Sequence, residues 1–161
     1  EMLTEAYAAI SGNREAVNVI YKSQLLEMPW AELMEVRREK DRVLQRTTGG
    51  IHRDDLVFTQ EGHPLRRVAS QGQLKSFVLS LKLAQYRLLE RNTQRSPILL
   101  LDDIFDKLDR DRVRQLLELV LTSAFGQVFI TDTDPDRVSG LVDVATDWRL
   151  FFVAGGVAEE E

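Results

Sequence analysis

A run of apolar residues that ends in two carboxylates is the clearest hydrophobic pattern in the chain. The run occupies residues 97–101 (PILLL) and leads directly into Asp102 and Asp103. Such a run is typical of a strand buried on both faces of a parallel sheet, where ligands bind at the carboxyl end. An ordinary core strand followed by a polar turn has the same pattern. The run alone therefore leaves a magnesium site and a structural strand as alternatives.

Two further segments carry apolar residues at the spacing of three to four that an amphipathic helix requires. One helix is predicted to follow Ser70, with apolar positions at Leu74, Phe77, Val78, Leu81, Ala84 and Leu88. A second is predicted to open at Asp109, with apolar positions at Val113, Leu116, Leu117, Val120 and Leu121. Ser70 and Asp109 are suitable N-caps, because their side-chain oxygens accept hydrogen bonds from first-turn amides.

The remaining predicted elements are short. They are a helix over residues 2–10, a strand over 16–25, a helix over 30–46, a hairpin of 56–58 with 65–69 that turns through 60–62, a strand over 127–131 and a strand over 148–153. The strand over 127–131 ends in the polar loop 132–135. Two predicted strands thus end in acidic or hydroxyl residues at one edge. We expect the acidic tail 156–161 to be disordered.

The start of the helix after Ser70 has the composition of an anion site. Residues 70–73 read SQGQ, and a glycine at Gly72 allows close approach of a ligand to the backbone. Together with the positive end of the helix dipole, this segment is suited to phosphate. An ordinary helix start is the alternative, and residues 70–73 taken alone favour it.

The order of these motifs resembles the C-terminal half of an ABC-type ATPase head, and most closely the RecF family of the SMC-like group. The resemblance rests on residues 50–56 (GIHRDDL), 70–73 (SQGQ) and 99–103 (LLLDD), the last followed by Leu108 and Asp109. It covers residues 49–153 well. The implied fold class is α/β, a P-loop NTPase sheet with flanking helices. The implied divisions are part of an arm or lid subdomain over 1–48, the C-terminal lobe of an ABC-type/SMC-like head over 49–155, and the tail 156–161.

The resemblance also implies roles for individual residues. Asp102 would hold Mg²⁺, and Asp103 would orient or deprotonate the water that attacks the γ-phosphate of ATP. Most ABC ATPases have glutamate at the position of Asp103, so we expect slow turnover. The residues that would contact the nucleotide of the opposite subunit in an ATP-dependent homodimer are Ser70, Gln71, Gly72 and Gln73, with Asp109 of the D-loop across the same interface.

The switch residue of such ATPases has no obvious equivalent in the chain. A histidine is usual after the strand predicted over 127–131, where this sequence has Asp132. An ionised carboxylate cannot donate a hydrogen bond, whereas the hydroxyl of Thr131 or Thr133 can. Thr131 and Asp132 are therefore the predicted switch region.

The glycine-rich phosphate loop of an ATPase is missing from the sequence. None of its nine glycines belongs to a GxxxxGK[ST] motif, whose backbone amides and lysine cradle phosphates. We therefore expect the chain to be the C-terminal portion of a longer protein. On its own it should bind ATP weakly or not at all and should not hydrolyse it, because ATP and Mg²⁺ would both need the missing lobe.

Charge and composition narrow the choice of partners. A net charge of -5 argues against a uniformly basic nucleic-acid binder, but Arg37, Arg38 and Arg42 lie in a basic stripe. These arginines could contact DNA phosphates, or could belong to a solvated helix face, since acidic residues interleave with them. With no cysteine and only two histidines, a zinc site is not expected. No run reaches the length of a membrane span and no targeting segment is present, so the expected location is the cytoplasm.

The function that the resemblance implies is an ATP-dependent DNA-binding clamp in recombinational repair, replication-gap processing and the SOS response. It would act at gaps or at single-stranded and duplex junctions, and would load recombinase together with RecO and RecR. A structural head of an SMC-like or ABC-type complex is an alternative, although the chain lacks long heptad repeats. A pseudo-ATPase interaction module is another alternative. The presence of both Asp102 and Asp103 is evidence against it. Residues 50–56 have no clear chemistry beyond pairing of Arg53 with Asp54 or Asp55.

Overall fold

The computed structural model describes residues 1–123, 125–134 and 148–160, and the chain divides into two compact units. Glu1–Arg14 and Ser70–Glu161 form the first unit, and Glu15–Ala69 form the second. These units do not coincide with the segments 1–48 and 49–155. The assignment of those segments to an arm and an ATPase lobe stays a prediction.

Helices and strands alternate along most of the chain. The helices are α1 (Met2–Ser11), α2 (Trp30–Leu44), α3 (Leu65–Val68), α4 (Gln71–Thr93) and α5 (Arg110–Thr122), with short 3-10 turns at Gln24–Leu26 and Ile51–Arg53. The strands are β1 (Val17–Lys22), β2 (Asp55–Gln60), β3 (His63–Pro64), β4 (Leu99–Asp102), β5 (Val128–Thr131), β6 (Phe151–Ala154) and β7 (Val157–Glu160). The predictions of α1, α2, α4, α5, β4 and β5 are confirmed. The strand predicted over 16–25 is confirmed as β1, but its last residues were wrong, because Gln24 and Leu25 belong to the first 3-10 turn.

The first unit is built on the parallel pairing of β4 with β5, in a register that places Asp102 beside Thr131. Helix α1 packs against α4 and α5. Buried apolar side chains join the helices to β4, and they are Ala6, Ile10, Leu79, Leu83, Tyr86, Leu99, Leu101, Ile104, Phe105, Leu116, Leu117 and Val120. This core fixes the carboxyl ends of β4 and β5 and the N-termini of α4 and α5 in one body.

Strand β4 is not buried on both faces, so that expectation was wrong. Leu99 and Leu101 are buried, but Leu100 is 68% exposed. Side chains alternate across a strand, so Ile98 lies on the face of Leu100, and the register adds Phe129 to it. All three are exposed, because the core of the described part of this unit covers only the other face.

Helix α4 buries a different face from the one expected. Phe77 is buried as predicted, but Val78, Leu81 and Leu88 are exposed. The buried positions of α4 are Ser76, Phe77, Leu79, Ser80, Leu83 and Tyr86. The helix carries apolar residues around most of its circumference, and two small serines lie on the packed side. Spacing alone therefore selected the wrong stripe.

Two turn regions also differ from the predicted pattern. Residues 65–68 form α3 rather than a strand, because β3 ends at Pro64, which has no N–H to continue the ladder. The predicted last strand is β6, and β7 pairs with it where disorder was expected. Gly155 and Gly156 have φ values of 58° and 81°, the left-handed conformation that a two-residue hairpin turn requires.

The second unit is a three-stranded antiparallel sheet with helix α2. Strand β1 pairs along its whole length with β2, from Val17 opposite Gln60 to Lys22 opposite Asp55. Helix α2 begins after Pro29 and ends at Leu44, and the next residue, Gln45, caps it in a left-handed conformation. Across the described residues of both units, no helix has the length and apolar character needed to cross a membrane.

Candidate active site

The carboxyl ends of β4 and β5 bring Asp102 and Thr131 into contact. The Thr131 hydroxyl donates a hydrogen bond to the Asp102 carboxylate, and both residues are exposed at the sheet edge. The pairing of parallel strands makes this contact, as the sequence pattern predicted for this edge. One carboxylate and one hydroxyl oxygen thus face solvent at the place where parallel sheets bind ligands.

Asp103 leaves the strand in a strained backbone conformation. Its φ of 47° is uncommon for a residue with a side chain, although aspartate tolerates it better than most. The backbone N–H of Asp103 donates to the Thr131 carbonyl at 3.2 Å and to the Thr131 hydroxyl at 3.3 Å. Thr131 therefore contacts both acids, Asp102 at the side-chain carboxylate and Asp103 at the backbone N–H. Strain of this kind often marks a functional residue.

A reciprocal capping box forms the start of α4. The Gln73 N–H donates to Ser70 Oγ at 3.2 Å, and the Ser70 N–H donates to Gln73 Oε1 at 2.6 Å. Ser70 is confirmed as the N-cap, and Gln73 has a structural partner in the same turn. The contact of Ser70, Gln71, Gly72 and Gln73 with a nucleotide stays a prediction.

Two contacts join the start of α4 to the loop that follows β4. Lys75 Nζ donates to the backbone carbonyl of Asp103 at 2.8 Å. Gly72 lies so close to this loop that an added Cβ would stand 3.0 Å from the Lys107 carbonyl oxygen. These contacts place the first two turns of α4 against the loop 103–107 within the first unit. Sequence reasoning missed Lys75, which has no distinctive pattern among surface lysines.

Asp109 caps α5 through hydrogen bonds from Arg112. Asp109 Oδ1 accepts from the Arg112 backbone N–H at 2.9 Å, and its Oδ2 lies 3.2 Å from Arg112 Nε. The backbone hydrogen bond is the main cause that lowers the pKa of Asp109 below the usual aspartate value, and the charges of Arg112 and Arg14 lower it further. The predicted cap is confirmed. A position of Asp109 across a dimer interface stays a prediction.

Arg112 also contacts the helix that begins with the 70–73 segment. Its side chain is 6% exposed, and Nη1 donates to Ser76 Oγ of α4 at 3.1 Å. Sequence reasoning missed this residue, although a signal was present. Arg112 lies one helical turn before Leu116 on the apolar stripe of α5, where a charged side chain must find a partner.

The predicted switch region has a defined local geometry. The Thr131 hydroxyl is engaged with Asp102, whereas Asp132 Oδ1 accepts from the Asp134 N–H at 2.7 Å and so forms a local turn. Thr133 is exposed. Of the two hydroxyls considered, Thr131 is the one in contact with the candidate metal ligand. Residues 135–147, which follow this turn and include Pro135 of the predicted polar loop, lie outside the described residues.

Asp102 and Thr131 offer two oxygen atoms side by side, which is part of the ligand set that Mg²⁺ uses in proteins. Within the described residues, no group of three histidine or acidic side chains is arranged to hold a metal. Mg²⁺ is commonly bound by one or two carboxylates, with phosphate oxygens and water as its other ligands. The exposed Asp102 carboxylate beside the Thr131 hydroxyl matches that partial ligand set.

The predicted DNA-contact arginines lie on α2 of the second unit. Arg38 pairs with Glu35, and Arg42 Nη1 lies 3.5 Å from a Glu39 carboxylate oxygen. These are exposed pairs at a spacing of three residues, so their stabilising effect is small and the arginines can exchange partners. Arg37 is partly buried. A role of the three arginines in binding DNA stays a prediction.

The 50–56 motif is held by a tyrosine rather than by the expected ion pair. The Tyr21 hydroxyl donates to the Asp54 carboxylate, and this hydrogen bond is the main cause that raises the pKa of Tyr21. Among the described residues, Arg53 has no ion pair with Asp54 or Asp55, so that expectation was wrong. Arg53 stands at the end of an exposed 3-10 turn. Its side chain therefore does not fix the entry into β2.

Comparison with known proteins gives consistent relatives, although no family model matches the chain. The chain is 46% identical over 136 residues to DNA replication and repair protein RecF of Flavobacterium johnsoniae. It is also 46% identical over 156 residues to the protein of that name from Parabacteroides distasonis. These matches cover 84% and 96% of the chain but only 38% and 43% of the relatives. The chain thus spans about two fifths of the length of the curated relatives it matches.

Solved structures similar to the chain also include a RecF protein, and they identify the fold. A structure described as the recombination mediator protein RecF-ATPrS in the RecFOR pathway has a TM-score of 0.66 at 26% identity, and the match covers 99% of the chain and 42% of that protein. An SMC head bound to the C-winged helix domain of ScpA has a TM-score of 0.60 at 14% identity, with 99% and 41% covered. The second likeness concerns the fold alone. The fold is that of the C-terminal lobe of an ABC/SMC-like ATPase head.

Proposed function

Because the chain belongs to the RecF family, we propose that it supplies two surfaces of an ATP-dependent DNA-binding clamp. The hydrolytic edge is formed by Asp102, Asp103 and Thr131 at the carboxyl ends of β4 and β5. The second surface is the first turn of α4, which acts on the nucleotide of a partner subunit. The complete protein would be a longer RecF-type chain that also carries a phosphate-binding loop. The observation that supports this most strongly is the contact of Thr131 with Asp102, because a carboxylate and a hydroxyl, both oxygen ligands that Mg²⁺ accepts, lie side by side at the carboxyl ends of two parallel strands. The second turn of the helix that begins with residues 70–73 contacts the same edge, because Lys75 donates a hydrogen bond to the Asp103 carbonyl.

At the hydrolytic edge, Asp102 and Asp103 have separate tasks. Asp102 would hold Mg²⁺ with its exposed carboxylate, which the Thr131 hydroxyl orients. The ion, when bound, supplies positive charge beside the phosphates. Asp103 would orient the attacking water and accept its proton, a role that requires a carboxylate within hydrogen-bond reach. Its left-handed backbone directs the chain out of the strand at this point.

The second surface would act on the nucleotide of a partner subunit. The first turn of α4 combines backbone amides with the positive end of a helix of 23 residues, an arrangement that favours a phosphate group. If ATP lies between two copies, it stabilises only the paired state, so ATP binding drives dimerisation. Hydrolysis then releases the pair. The structures of RecF-ATP and RecF-ATPrS support ATP as the nucleotide.

The cellular role of this clamp follows from the relatives' names. Those names assign DNA replication and repair to the curated proteins. We extend this to binding of DNA at gaps or at single-stranded and duplex junctions, in recombinational repair and the SOS response, in the cytoplasm. RecO and RecR are the proposed partners for loading recombinase. The likeness to SMC heads supports a shared architecture, and a purely structural head is the second candidate.

A charge placed at the start of α4 tests the dimer. Gln71 is exposed at the first position of α4, so Gln71→Glu adds a negative charge without loss of packing, and acidic residues are favourable there. In the full-length protein, this variant should repel the partner's phosphate and weaken ATP-dependent dimerisation measured by sedimentation. Lys82→Gln, an exposed site in the middle of α4, also shifts the net charge by one negative unit and is the matched control. Equal dimerisation of wild type and Gln71→Glu would contradict the proposal.

A further inference from the structure

Arg112 carries a buried charge that local structure alone does not explain. Its guanidinium is shared between Asp109 of its own first turn and Ser76 of α4, which lies 36 positions earlier in the sequence. A buried charge is costly unless it is paired and hydrogen-bonded. The cap of α5 requires only the Arg112 backbone N–H. The side chain therefore serves a contact between two elements.

Ser76 continues this contact towards the start of α4. Its hydroxyl accepts from Arg112 Nη1 at 3.1 Å and donates to the Gly72 carbonyl at 2.9 Å. Ser76 has no exposed surface, so solvent does not compete for its hydroxyl. A continuous path of hydrogen bonds thus runs from the Asp109 carboxylate through Arg112 and Ser76 to the backbone of Gly72.

A steric contact lies alongside this path. An added Cβ on Gly72 would stand 3.0 Å from the Lys107 carbonyl, two residues before Asp109. The 70–73 segment and the D-loop are therefore in contact at the backbone, and the guanidinium joins them again in the interior. Two independent contacts between the same pair of segments restrict their relative motion.

We propose that Arg112 is a positioning residue that makes the 70–73 segment and Asp109 dock as one rigid element on a partner subunit. This inference rests on the proposed ATP-dependent dimer. Both segments would meet the same interface, and association is weakened when each must be ordered separately. The Arg112 guanidinium fixes their relative position before association. Arg112 itself touches no nucleotide.

A purely structural role for Arg112 makes a different prediction. In that case, loss of the side chain would lower the stability of the first unit and would reduce every activity together. A positioning role affects dimerisation and turnover but leaves nucleotide binding by the separate subunit unchanged. The hydroxyl of Ser76 offers the milder test, because Ser76→Ala removes the shared hydroxyl and leaves both charges in place.

The experiment compares Ser76→Ala, Arg112→Gln, Arg112→Lys and the double variant in a full-length RecF-family protein that carries this chain. A fluorescent ATP analogue at low protein concentration measures binding by the monomer, sedimentation with ATP measures the dimer Kd, and steady-state assays give kcat and KM. We expect Ser76→Ala to raise the dimer Kd about tenfold and to lower kcat, with unchanged analogue binding. The double variant should be no weaker than Arg112→Gln alone. Arg112→Lys should give partial rescue.

The matched control is Arg114→Gln. Arg114 is exposed on the same helix and lies 3.8 Å from Asp111, so the variant removes one arginine from α5 without touching α4. It should behave as wild type. Wild-type dimerisation by Ser76→Ala and Arg112→Gln, or independent effects that multiply in the double variant, would overturn the inference. Failure of the wild-type protein to dimerise with ATP would instead overturn the proposed function, and the inference with it.

Discussion

The hydroxyl of Thr131 donates a hydrogen bond to the carboxylate of Asp102 across two parallel strands. The same residue accepts the backbone N–H of Asp103 through its carbonyl and hydroxyl oxygens. A single threonine therefore contacts both acids of the candidate site, Asp102 at its carboxylate and Asp103 at its backbone N–H. Its position follows from the strand register, in which Asp102 and Thr131 are direct partners.

Thr131→Val should impair the metal-dependent step without unfolding the protein. Valine has nearly the same shape but no hydroxyl, so Asp102 loses its orienting donor. In the full-length protein we expect a higher Mg²⁺ concentration for half-maximal ATPase activity and about a tenfold lower kcat. Thr131→Ser should retain most activity. Thr133→Val changes an exposed threonine two residues later and serves as the control; equal Mg²⁺ dependence for both valine variants would contradict this account.

The capping box predicts a graded loss of stability. Ser70→Ala removes the acceptor for the Gln73 N–H and should lower the free energy of unfolding by about 1 kcal/mol. Gln73→Ala removes only the reciprocal bond, and we expect a smaller loss. Because the two bonds form one motif, the double variant should lose less than the sum of the two. Urea unfolding of the chain measures all three, with Gln71→Ala as a control outside the capping box.

Asp109 should titrate below an ordinary aspartate. Its folded pKa is lowered, mainly by the backbone hydrogen bond from Arg112. The stabilisation is therefore fully present above the unfolded value of about 3.9, and it is lost as pH falls through the lower folded pKa. Between pH 7 and 5 it should not vary. Carboxyl NMR titration of the chain measures this directly, and a pKa at or above that of an unstructured aspartate would show that the cap does not form.

DNA binding by α2 predicts a change in salt dependence. Replacement of Arg37, Arg38 and Arg42 by alanine in the full-length protein should weaken DNA binding. It should also flatten the slope of log K against log salt, by about 0.9 for each phosphate of duplex DNA that an arginine no longer neutralises. Glu35→Gln should act in the opposite direction, because it frees Arg38 from its ion pair. Unchanged affinity and slope would assign these arginines to a solvated helix face.

Local sequence signals predicted the parts of the site that depend on local chemistry. The caps at Ser70 and Asp109 and the strand pair that ends at Asp102 and Thr131 were predictable, because capping and strand pairing depend on residue type and short spacing. The hydrogen bonds of Thr131 to both Asp102 and Asp103 were not predictable, since they depend on the register of two strands nearly thirty residues apart.

Long-range packing explains the remaining differences. Helix α4 buries Ser76 and Ser80 on its packed face and exposes Val78 and Leu81. The two serines satisfy polar groups there, since Ser76 accepts a hydrogen bond from Arg112 and Ser80 donates one to the Ser76 carbonyl. The spacing of apolar residues cannot predict a buried polar contact of this kind. The tight turn at Gly155, by contrast, had a sequence signal, because two adjacent glycines are typical of a hairpin turn. The acidic composition of the residues after it favoured disorder instead, so the hairpin was not predicted.

The turnover of ATP by Asp103→Asn in the full-length protein tests the central claim most directly. Asparagine tolerates the left-handed conformation of Asp103, so the substitution removes the carboxylate charge with little added strain. If Asp103 accepts a proton from the attacking water, kcat should fall at least about a hundredfold while ATP-dependent dimerisation is retained. Wild-type turnover by Asp103→Asn would contradict the assignment of this sheet edge as the hydrolytic site.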